Sequence, residues 1–119
     1  MKTVDILSTL YSIEIRKYED DPYFKEHSCD GYCDGAIHGI VLCDMHTYPG
    51  WEKESAEAIE KATQATLRHE IVHAFLNESG LQNSALEYGG AWAKNEEMID
   101  WIAIQGPKIM IAWEKAGAL

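Results

Sequence analysis

The sequence predicts an α+β domain in which a small, mainly antiparallel N-terminal sheet packs on a long helix, followed by a second helix. Three observations predict it. Alternating and β-branched segments fall in the N-terminal part of the chain, long stretches free of helix breakers fall after it, and Asp-Gly or Pro-Gly pairs punctuate the order strands, helix, loop, helix. Val4-Asp5-Ile6-Leu7 and Tyr11-Ser12-Ile13-Glu14-Ile15-Arg16 have period-two or β-branched character, and at least one is expected to be a strand. Asp20-Asp21-Pro22 and Asp30-Gly31 mark turns, Ala36 to Asp44 forms another strand around Ile40-Val41-Leu42, and Pro49-Gly50 closes the region.

From about Trp51 to Asn77 the chain carries acids early, lacks breakers and runs into Gly80, a C-terminal helix signal. Ile59, Ala62, Thr66, His69 and His73 follow helical spacing, and Leu67, Ile71 and Ala74 widen the apolar surface, so this helix is covered on more than one side. Leu81 to Ala93, with Gly89-Gly90, forms a loop that brings Tyr88 or Trp92 toward the motif helix, core packing being the first use of so large a side chain as Trp92. A second helix spans about Lys94 to Ile104, and Gly106-Pro107 either kinks it or starts a last helix through Lys115.

The length of 119 residues with 46% hydrophobic content suits one domain, 1–119, with a real core. A net charge of −10 argues against a nucleic-acid surface, which needs clustered Lys and Arg. The N-terminal residues lack the apolar core of a signal peptide, and Ile102 to Trp113 is interrupted by Gln105, Gly106, Pro107 and Lys108, so a cytoplasmic protein without a membrane partner is expected. Cys29, Cys33 and Cys43 are an odd number outside any small secreted scaffold, which predicts free thiols.

The most informative residues are His69-Glu70-Ile71-Val72-His73, an H-E-x-x-H sequence on the long helix. Four residues apart, the two histidines stand on one helical face and can reach one zinc ion. Glu70 lies about a quarter-turn round, beside the ion's open position, where it can take a proton from water instead of serving as a ligand. Hydrolytic zinc normally takes three protein ligands, so another must lie downstream. Asn95-Glu96-Glu97-Met98-Ile99-Asp100 has the form N-E-x-x-x-D on the second helix, with Glu96 and Asp100 on one face. A carboxylate there can complete the coordination while Asp100 accepts the N–H of a ligand histidine.

With both motifs in place the chain resembles the gluzincin metallopeptidases, and the run His69 to Leu81 and Glu96 to Gln105 is similar to small prophage-type domains of the ImmA/IrrE-like or minigluzincin kind. Asp30 to Asp34 and Ile40 to Leu42 share the likeness, which covers most of the chain. The resemblance implies zinc held by His69, His73 and Glu96, Glu70 as general base, Asp100 orienting a ligand histidine, and a peptide or protein substrate. It also implies a substrate laid along a sheet edge, here expected at Ile40-Val41-Leu42. The downstream His or Tyr with which larger members support the tetrahedral intermediate has no clear counterpart. Spacing separates Glu96 from Glu97: only Glu96 stands four before Asp100, leaving Glu97 solvated or capping.

Two other classes compete with a peptidase. One is a catalytically weak metal-binding regulatory or interaction module of a prophage or mobile element. The other is a structural zinc site built from the cysteines with His27, His38 or His46, against which the loose Cys29-x-x-x-Cys33 spacing counts.

Overall fold

The computed structural model describes residues 2–84 and 92–117, with the backbone alone for 83, 84 and 92. Strands β1 (Lys2–Ile6), β2 (Thr9–Arg16), β3 (Gly31–Asp34) and β4 (Gly39–Cys43) form one sheet in the order β1-β2-β4-β3. β1 with β2 and β3 with β4 pair antiparallel; β2 with β4 pairs parallel. Helices α1 (Tyr23–Glu26), α2 (Ala56–Glu78), α3 (Leu81–Ser84) and α4 (Glu96–Lys115) complete the α+β arrangement that the sequence predicts. No helix among the described residues is long and apolar enough to cross a membrane.

β4 is the centre of the core. Ile40 and Leu42 join Ile6, Tyr11 and Ile13 against Ala74 of α2. Val41 and Cys43 point the other way, into a cluster with Phe24, Met45 and Ile59. The uninterrupted run Ile40-Val41-Leu42-Cys43 is therefore the mark of a strand covered on both faces. It is also paired on both sides, so the expected exposed edge at Ile40-Val41-Leu42 does not exist. Among the described residues, the unpaired edge beside α2 belongs to β3.

β3 was hidden by the Asp30-Gly31 turn signal. Gly31 is required by close approach: a Cβ there would lie 2.6 Å from Thr66 Cγ2 on α2 and 3.2 Å from the Val41 carbonyl oxygen. Buried Asp21 holds the strand from the other side, accepting hydrogen bonds from Tyr32 Oη at 2.6 Å, Arg16 Nη1 at 2.8 Å and the Tyr23 N–H at 3.1 Å. Burial alone would raise the Asp21 carboxyl, but these donors outweigh it and leave the group below its ordinary value.

α2 starts at Ala56, later than the breaker-free stretch suggests, because Ser55 Oγ accepts the Ala58 N–H at 3.1 Å and caps it. Trp51 packs against the Phe24 cluster instead of entering the helix. The C-terminus follows the predicted signal, with Gly80 at φ +84° and its N–H bonded to the Asn77 carbonyl at 3.1 Å. Tyr11 Oη donates to Glu78 Oε1 at 2.7 Å, which ties this end of α2 to β2.

α4 begins where Asn95 Oδ1 accepts the Met98 N–H at 2.9 Å, so the asparagine of N-E-x-x-x-D is the helix cap. Ile99 and Ala103 bury its first half. Gly106-Pro107 neither ends the helix nor starts another; α4 continues to Lys115. Proline has no N–H to offer the carbonyl four residues back, which is Ala103. Arg68 Nε of α2 donates to that oxygen at 3.2 Å, replacing the lost bond and joining the two helices one residue from His69.

Candidate metal centre

α2 brings His69 and His73 to the same face one turn apart, and the start of α4 lays Glu96 across them. His69 Nε2 and His73 Nε2 are 3.2 Å apart. Glu96 Oε2 lies 3.1 Å from the former and Glu96 Oε1 3.2 Å from the latter. Donors about 2.0–2.2 Å from a tetrahedral ion are separated by about 3.3–3.6 Å, so the three side chains stand close to the mutual spacing of metal ligands.

Asp100, one turn beyond Glu96, accepts a 2.6 Å hydrogen bond from His69 Nδ1. That contact assigns the His69 proton to Nδ1 and turns the Nε2 lone pair toward His73 and Glu96. A lone pair, a second imidazole nitrogen and a carboxylate at these separations repel one another unless a proton or a metal cation lies among them. The donor set therefore fits a metal ion, and it is the one such group of three among the described residues. Burial, partly opposed by the Glu96 charge, holds His73 below the ordinary imidazole value, which favours the neutral ligand form.

Glu70 differs from the three donors. It is 5% exposed, and its Oε1 lies 3.8 Å from His69 Nε2, beyond hydrogen-bonding distance. No hydrogen-bond partner of its carboxyl is found among the described residues. Burial pushes this carboxyl up to about 7, with the nearby His69 pulling the other way. It faces a cavity of about 640 Å³ that also receives His69, His73 and Glu96.

Glu97 is exposed and stays out of the donor group. Tyr88 and the Trp92 side chain, expected in the loop beside the site, lie outside the described residues. Cys29 and Cys33 line the cavity and Cys43 is in the core, but with His27, His38 and His46 they assemble no second metal group among the described residues. Burial pushes the Cys33 thiol up to about 12 and the Cys43 thiol to about 11, so both are neutral and weakly nucleophilic.

The cavity contains residues that the motifs did not announce. Asp30, at the entry to β3, lines it and accepts a 3.1 Å hydrogen bond from Thr66 Oγ1 of α2, one turn before Glu70. Tyr23 and Tyr32 form another part of the lining. The usable signal was Gly31, a glycine inside a strand that marks close contact with another element. No family model, curated protein or solved structure matches the chain.

Proposed function

We propose that this protein is a zinc-dependent peptidase of gluzincin type, with His69 Nε2, His73 Nε2 and the Glu96 carboxylate as the zinc ligands and Glu70 as the general base. The observation that carries the reading is Glu70: a carboxylate 5% exposed, outside the donor group, facing the ligand cavity. Metal retention needs only ligands. A buried carboxylate has a reason to be there if it moves a proton, and with its pKa raised to about 7 it can accept and return one near neutral pH. Zinc bound by the three ligands supplies Lewis-acid chemistry, polarising a carbonyl and acidifying water.

The chain's own groups account for the remaining requirements. Asp100 keeps His69 in one tautomer and orientation. The low exposure of Glu70, 5%, shields its carboxyl from bulk water on all but the cavity side. Among the described residues no strand pairs with the outer edge of β3, where an extended peptide could add main-chain hydrogen bonds, and Tyr32 and Cys33 of that strand line the cavity. Backbone pairing of this kind supports a peptide substrate with modest side-chain selectivity.

The test is reconstitution. Metal-free protein given one equivalent of zinc should cleave members of a proteome-derived peptide library, a chelator should stop cleavage, and fresh zinc should restore it. Stoichiometric zinc binding with no cleavage would leave a metal-binding regulatory module as the function.

A further inference from the structure

The charge balance of the cavity is incomplete. Among the described residues four carboxylates line it: Asp30, Glu70, Glu96 and Asp100. No Lys or Arg does, and residues 85–91, outside the described part, are Ala-Leu-Glu-Tyr-Gly-Gly-Ala and contain none either. On the zinc reading, on which this inference rests, the two charges of the ion are offset by Glu96 and Asp100. Asp30 remains. Among the described residues its Oδ2 meets only the neutral Thr66 hydroxyl, whose single proton is shared with the Ala62 carbonyl at the same 3.1 Å, and it takes part in no ion pair. The hydroxyl and the tight seating of Gly31 against Thr66 hold this carboxylate at the cavity wall.

A second feature of the same cavity points to the same ligand chemistry. Tyr23 stacks on His27 with ring centroids 3.8 Å apart and lies 4.1 Å from Tyr32, and all three rings line the cavity. Aromatic rings in a cavity with an uncompensated carboxylate favour organic cations over anions. The third feature is Glu70, a carboxylate 5% exposed that faces the same cavity and has no hydrogen-bond partner among the described residues.

We infer that Asp30 is a specificity-determining residue that selects peptides carrying an ammonium or guanidinium group next to the bond held at the metal. The cation comes either from a Lys or Arg side chain or from a free amino terminus, and the assay separates the two.

Zinc-loaded Glu70→Gln, chosen so that peptides bind without turnover, is titrated with alanine-rich octapeptides capped at both ends. A single Lys is walked along them and compared at each position with Gln and Glu. A second set leaves the amino terminus free. The expected result is about ten-fold tighter binding of Lys than of Gln at one position, or of free over capped termini, with the preference shrinking in high salt. In Glu70→Gln carrying Asp30→Asn as well, whichever ratio showed the preference, Lys to Gln or free to capped, should fall to about one.

Equal binding of Lys, Gln and Glu peptides at every position and of free and capped termini would overturn the inference, as would a ratio that survives Asp30→Asn. If Asp30→Asn is not folded by circular dichroism, Thr66→Val releases the carboxylate and should lower the ratio several-fold; an unchanged ratio also overturns it. Charge-selective binding without cleavage by the wild type would refute the peptidase reading and leave Asp30 standing. Cleavage without charge preference would do the reverse, and no binding of any peptide would refute both.

Discussion

Replacing Asp100 by Ala should weaken metal binding about ten-fold while leaving the fold intact. The 2.6 Å bond from His69 Nδ1 to Asp100 is charge-assisted and sets both the tautomer and the ring orientation of a proposed ligand. Loss of such an outer partner typically costs about 10- to 100-fold in metal affinity. Asp100 is 58% exposed, so water can take over part of its accepting role and the effect falls at the lower end, about 1.4 kcal/mol. Competition for zinc with a chromogenic chelator near neutral pH measures the Kd. The same titration on Glu96→Gln and Glu97→Gln supplies the internal comparison, since Glu96 contacts both imidazoles and Glu97 contacts neither. An Asp100→Ala affinity within two-fold of wild type, or a larger loss in Glu97→Gln than in Glu96→Gln, would refute the reasoning.

Three further outcomes follow from the packing and the buried acid. Gly31→Ala should lower stability by about 1–3 kcal/mol in denaturant unfolding, because the new Cβ meets Thr66 Cγ2 at 2.6 Å and the Val41 carbonyl at 3.2 Å; an unchanged midpoint would show that β3 does not need the glycine. Arg68→Met keeps the aliphatic stem but leaves the Ala103 carbonyl without the donor that substitutes for Pro107, and about 1–2 kcal/mol should be lost in the same assay. In the metal-free chain the Glu70 carboxyl is raised from 4.5 to about 7, so the folded state holds its proton more tightly than the unfolded state. Stability should therefore fall as pH rises from about 4.5 to about 7, and metal-free Glu70→Gln should lack this slope and be the more stable protein above that window by about 3 kcal/mol. Parallel pH profiles for the two proteins would contradict the assignment.

How far the sequence went depended on the distance over which each signal acts. His69 and His73 meet because they lie one turn apart on α2, and Glu96 and Asp100 share a face of α4 for the same reason. Helical periodicity is local, so these groupings were legible. Whether the two helices face each other was a resemblance-based expectation; the contact includes the bond from Arg68 of α2 to the Ala103 carbonyl of α4, with Ile99 and Ala103 buried on α4. β3 was not legible, since a strand containing Gly31 is explained only by Thr66, distant in sequence. The continuity of α4 through Pro107 was equally hidden, because the replacement donor comes from α2. Asp30 was visible as a turn residue and as part of the family likeness, but neither gave its carboxylate a role, because the cavity that Asp30 lines is assembled from α1, β3, α2, α3 and α4.

The most direct test of the central claim is cleavage of a peptide library by wild type and Glu70→Gln, each verified to carry one zinc per chain. The account predicts zinc-dependent cleavage by the wild type and none by Glu70→Gln, with the metal retained in both. Equal cleavage by the two proteins, or loss of zinc from folded Glu70→Gln as severe as that from His69→Ala, would contradict it.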